Sequence, residues 1–160
     1  MTDRCELIEE FWEALDASPY LMIGLPTQDA HSEPMNVVFD KDYTNALFIY
    51  TSTDNRLVQG MAQSPYAMAQ FASKGHDFFA CLRGKLSRVT NAEIIDRFWS
   101  NSVEAWYEDG RDDPKLAMLR FDIEDVEMWE SDMSATGLFK LLTGTPIKEK
   151  EAIGHTEVSM

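Results

Sequence analysis

Residues 46–56 read A-L-F-I-Y-T-S-T-D-N-R. Leu47, Phe48, Ile49, Tyr50 and Thr51 are apolar, aromatic or β-branched, the types that fit a half-buried pleated strand. The pattern then breaks into small polar residues. Thr51, Ser52 and Thr53 carry hydroxyls, Asp54 or Asn55 is placed to cap a helix, and Arg56 adds a permanent positive charge. Leu57, Val58 and Met61 follow at helical spacing, so a strand hands over to a short helix. Hydroxyls, a planar guanidinium and the N–H groups of a helix start are what an anionic phosphate requires. A capped turn carrying a surface arginine is the plainer alternative.

Upstream of this stretch, residues 3–16 set Leu7, Ile8, Phe11, Trp12 and Leu15 on one stripe and Glu6, Glu9, Glu10 and Glu13 on the other. That is an amphipathic helix, capped by Thr2 or Asp3 and ended at Ser18-Pro19, with Trp12 in the core. Residues 20–25 and 34–39 read as short strands around a polar connection. His31 in that connection reads as structural or exposed.

Downstream come a helix over 55–63, a strand over 66–71, the turn Lys74-Gly75-His76-Asp77 and a long strand over 78–89. Gly84 interrupts that strand, and a glycine there marks a bulge or bend, as at a barrel corner. Thr90 or Asn91 caps a helix through Trp99, a second short helix spans 101–108, and 109–114 is a break. Residues 115–121 and 126–129 read as strands and 134–143 as a small helix. Beyond Pro146 the chain is charged and aperiodic and is expected to be a mobile tail. The division is thus one domain over 1–145 and a tail over 146–160. The class is α+β: six strands, mostly antiparallel, in a closed or split β-barrel with flanking helices.

A chain of 160 residues can bury a core of its own. Its net charge of −14 opposes binding to nucleic acid or to anionic membranes. The charge is uneven. Between Asn55 and Thr90 Asp77 faces Arg56, Lys74, Arg83, Lys85 and Arg88, about +4 locally against −18 for the remainder. A basic island in an acidic chain suits a small anion better than a polymer. Cys5 and Cys81 form neither a disulfide framework nor a metal-ligand pattern, and Cys81, in an apolar run, reads as a buried thiol. Acidic residues stand where a signal peptide needs an apolar core, and no apolar run reaches about 18–20 residues. A cytoplasmic location is expected.

The succession S-E-P-M-N-V-V-F-D, L-F-I-Y-T-S-T-D-N-R, helix, Ser-Pro, strand, and a long strand ending G-K-L-S resembles the FMN-binding split barrel of the pyridoxamine 5′-phosphate oxidase-like superfamily. H-S-E-P-M, M-A-Q-F-A-S-K-G-H-D, the A-W-Y to L-R-F-D stretch and V-E-M-W are similar to its general stress protein 26-like branch. The resemblance implies FMN, or a related flavin such as a deazaflavin, at a two-fold homodimer interface. It puts the phosphate at Arg56, Thr51 and Ser52 with help from Asn55, Tyr50 near the ribityl chain, and Met35, Asn36 and Val37 along the ring. It makes Lys74, His76 and Trp129 the second protomer's contribution.

Pyridoxamine-phosphate oxidases end in an Arg-x-His element, and after Trp129 this chain has no arginine, which argues against that particular turnover. The expectation is a flavin-dependent oxidoreductase linked to stress response, with a small-molecule substrate or nicotinamide donor. The alternative is a non-catalytic flavin-binding, buffering or sensing protein. No catalytic residue is assigned, and no metal site, nucleic acid or membrane is expected.

Overall fold

The computed structural model describes residues 3–131 and 153–160. Strand β3 (Ala46–Ser52) buries Leu47 and Ile49 on one face and Ala46 and Phe48 on the other, so its apolar run is covered on both sides. Asn55 then caps helix α2 (Arg56–Gly60), accepting from the Leu57 N–H at 2.9 Å. Ahead of them lie α1 (Arg4–Ala17), β1 (Tyr20–Gly24) and β2 (Glu33–Asn36). After them come β4 (Tyr66–Ala72), β5 (Phe78–Val89), α3 (Ala92–Arg97), α4 (Asn101–Glu104), β6 (Leu116–Ser131) and β7 (Ile153–Ser159).

The strands form one antiparallel sheet in the order β2-β1-β4-β5-β6-β3, with β7 on the far half of β6. The two end strands curl toward each other. Val38 and Phe48 exchange backbone bonds of 2.9 and 2.8 Å, pinning β2's continuation to β3 at one place. The barrel is therefore split, open between β2 and β3. Inside it, Phe11 of α1 packs edge-on against Phe71 with ring centroids 6.2 Å apart. On the other face of β3, α3 brings Ile94, Ile95 and Phe98 against Phe48, Val89 and Met118.

The register of β5 on β6 shifts between Arg83 and Gly84. A Cβ at Gly84 would stand 2.0 Å from the Asp122 carbonyl oxygen, so the bulge requires glycine at this crossing.

Among the described residues the sheet has seven strands, not the six expected. Residues 115–121 and 126–129 are one strand: β6 stays paired with β5 on both sides of Glu124, the extra residue opposite the Arg83–Gly84 step, where the buried positions shift from Ile123 to Val126. The end of the expected tail is β7. Strand β3 leaves β6 at Asp122, so the edge beyond is open for Ile153–Ser159, and Val158 is buried there. The helix read at 134–143 and the tail's residues 146–152 lie outside the described residues. Cys81, expected to be a buried thiol, lies on the outward parity of β5, half-buried, between Gln70 and Glu127.

Candidate functional site

The split between β2 and β3 is a slot with defined ends. One end is the Val38–Phe48 pair. Backbone direction alternates along a strand, and the Val37 N–H is spent on the Pro19 carbonyl at 2.8 Å while Val38 faces β3. The main-chain N–H and C=O of Asn36 therefore turn toward β3, and those of Tyr50 turn toward β2. Side chains follow the opposite logic. Met35 packs on the core and Val37 is fully buried, while Asn36 is exposed. Of the three residues expected along the ring, Met35 and Val37 turn their side chains to the core and Asn36 is exposed.

The other end is built by Glu33, Asn55 and Arg56. Glu33 Oε1 lies 2.9 Å from Arg56 Nε, and Asn55 Nδ2 donates to Glu33 Oε2 at 2.8 Å. Arg56 also donates to the His31 carbonyl at 2.9 Å. Two donors thus clasp one carboxylate, an oxyanion cradle by construction. Because α2 is a single turn whose Leu57 N–H is taken by Asn55, the donors that meet Glu33 are side chains and not a helix terminus.

Ser52 and Tyr50 spend their hydroxyls within the chain. Ser52 donates to Asp54 at 2.5 Å, and that bond holds the Asp54 carboxyl below its ordinary range. The Thr51 carbonyl accepts from the Tyr107 hydroxyl at 2.7 Å. Tyr50 turns its phenol to α3, donating to the Ile95 carbonyl at 2.5 Å, with Trp99 edge-on at 5.7 Å. Burial pushes Tyr50 and Tyr107 each up to about 12. Tyr50, expected near the ribityl chain, therefore turns its phenol to α3 and its main chain toward β2.

Lys74 and His76 sit on the β4–β5 hairpin. Ser73 organises that turn by donating to Asp77 at 2.6 Å and accepting from the Phe78 N–H at 3.0 Å. His76 takes φ +57°. Trp129 pairs with Phe79 near the end of β6, whereas Ser52 beside the cradle pairs with Leu116 at its start. Those ends are roughly 40 Å of strand path apart at about 3.3 Å per residue. The structure thus brings together Asn36, Thr51, Ser52, Asn55 and Arg56, and leaves Lys74, His76 and Trp129 apart from them.

Sequence reasoning missed Glu33 and the His31 carbonyl. Glu33 lies in the quoted S-E-P-M stretch, but nothing local shows that the returning chain sets it against Arg56.

Residues 6–150 match the model of the family described as "Pyridoxamine 5'-phosphate oxidase like", and the chain belongs to that family. The general stress FMN/FAD binding protein of Xanthomonas citri is 38% identical, covering 81% of this chain and 92% of that one, with a TM-score of 0.75. A protein described as a general stress protein 26 from Jannaschia sp. CCS1 superposes over 99% of this chain and 100% of its own, with a TM-score of 0.79 and 26% identity. General stress protein 26 of Bacillus subtilis (strain 168) is 36% identical over 52 residues, 32% of this chain. That match spans 36% of the curated relative's length. Among the described residues no helix is long and apolar enough to cross a membrane.

Proposed function

We propose that this chain is an FMN-binding protein that works as a homodimer. The flavin phosphate takes the cradle of Arg56 and Asn55, and the ring edge meets the main-chain groups of β2 around Asn36. The observation that carries this reading is the cradle itself: two donors already set around an oxyanion at one end of a gap in an antiparallel sheet. The donor set fits the phosphate, and the exposed main-chain groups fit the ring edge. The family, and the name of the Xanthomonas citri relative, point to a flavin.

FMN supplies redox chemistry when bound, and the residues of this chain bind and orient it. In this reading Lys74, His76 and Trp129 come to the slot from a second copy; within one copy Trp129 stands about four strand spacings from Asn36, roughly 19 Å along the sheet through β1, β4 and β5. A face for that copy exists: Tyr20, Met22, Tyr66 and Phe79 are exposed on the outer side of β1, β4 and β5. A link to stress response rests on the names of the relatives.

A flavin-dependent oxidoreductase is the first reading. The second, a flavin carrier or sensor without turnover, is favoured by the engagement of the charged groups around the slot. Glu33, Asp54 and Arg56 are all committed to hydrogen bonds or ion pairs. An absorbance spectrum of the purified protein, with and without added FMN, tests binding; no spectral change on addition would refute it. Stopped-flow mixing of the loaded protein with NADH or NADPH then separates the two readings. Bleaching of the flavin band supports the oxidoreductase, and its persistence with both donors supports the carrier.

A further inference from the structure

We propose that Glu33 is a built-in competitor of the phosphate: its carboxylate occupies the anion subsite and must leave Arg56 and Asn55 when a phosphorylated ligand binds. This rests on the reading of the slot as a flavin site. Each oxygen of the carboxylate meets one of the two donors, at 2.9 Å on Arg56 and 2.8 Å on Asn55, so neither keeps that bond while also serving a phosphate in the same place. With Glu33 in position the Arg56–Glu33 pair is electrically neutral, and a phosphate dianion entering beside it meets a like charge. The exchange is accessible. Arg56 and Glu33 side chains are 45% and 23% exposed, and pairs this open to water are weakly held. Glu33 sits at the start of β2, an end strand, so its side chain can swing into the gap without breaking the sheet. The Arg56 contact to the His31 carbonyl keeps the guanidinium in place when the carboxylate departs.

The consequence is selectivity. The carboxylate sets a threshold that only a ligand bearing a strong anion crosses. A neutral flavin gains nothing from displacing it.

Glu33→Gln keeps the shape and removes the charge. Wild type and variant are titrated with FMN, riboflavin and inorganic phosphate. Flavin fluorescence reads the first two, and the Arg56 Nε–H NMR cross-peak reads the third. FMN binding is expected to tighten about fivefold in Glu33→Gln, the upper worth of an exposed ion pair, with riboflavin unchanged. Phosphate should saturate the Arg56 signal at correspondingly lower concentration. Glu33→Ala should move in the same direction. Unchanged or weaker FMN binding in the variants would overturn the proposal and make Glu33 a positioning residue. Should wild type and variants bind neither flavin, the flavin reading fails, and the phosphate titration alone decides. Equal half-saturation with and without the carboxylate then refutes the competition.

Discussion

Tyr50 and Tyr107 each spend a hydroxyl on a carbonyl, of Ile95 and Thr51 respectively, and so tie the α3–α4 region to β3. Burial raises both phenols from about 10 to about 12. A group whose folded value is raised stabilises the fold below its unfolded value and loses that contribution as pH climbs to the folded one. Stability is therefore expected to be level with respect to these groups up to about pH 10 and to fall between about 10 and 12. Urea midpoints measured across that window should fall less steeply in the Tyr50→Phe, Tyr107→Phe double variant than in wild type. Equal slopes would mean the phenols ionise alike in both states. At this scale the sequence was half legible. Arg56 is readable as a permanent cation beside a turn, and Asn55 as one of two candidate caps. The role of Glu33 is not readable, because it comes from a strand pairing that returns it across the gap. The direction of the Tyr50 ring is not legible either, because strand alternation and the packing of α3 decide it.

Elements were more legible, because periodicity and punctuation are local. The α1 stripe and the whole of β5 follow directly from residue type, and each of Asn55 and Asn91 is one of two cap candidates the residues offer. The Gly84 bulge does too, and it gives a sharp test. In Gly84→Ala the new methyl meets the Asp122 carbonyl oxygen at 2.0 Å and the Phe121 ring at 2.9 Å, so β5 and β6 must part. A loss of about 1–3 kcal/mol is expected from overpacking, read as a lower urea midpoint. An unchanged midpoint would contradict the bulge. The errors also have physical causes. Asp122, Glu124 and Asp125 look like a turn, yet they flank a buried Ile123 on one continuous strand. β7 is hidden in a charged segment because its partner is an edge left open by β3, a fact of topology and not of residues 153–159.

For the whole molecule, the exposed sheet face and the far hairpin define what a second copy would do. Tyr20 and Phe79 stand on one cross-strand row that continues to Trp129, and Met22 lies on the next row. Phe79→Glu places a charge on that face, opposite Ala72 and Trp129. Sedimentation is expected to show a dimer for wild type and a monomer for this variant, with FMN binding lost alongside. A wild-type monomer that holds FMN would show that one copy completes the slot. Such an interface could not be read from sequence alone, since outward apolar residues become a face only once four strands align.

In the proposed site Arg56 grips the phosphate, and fluorescence titrations of wild type and Arg56→Ala with FMN and with riboflavin test this. FMN affinity is expected to fall by about 1.5–3 kcal/mol, the range for a hydrogen bond to a charged group, with riboflavin affinity unchanged. An equal loss for both flavins, or no loss for FMN, would contradict the account.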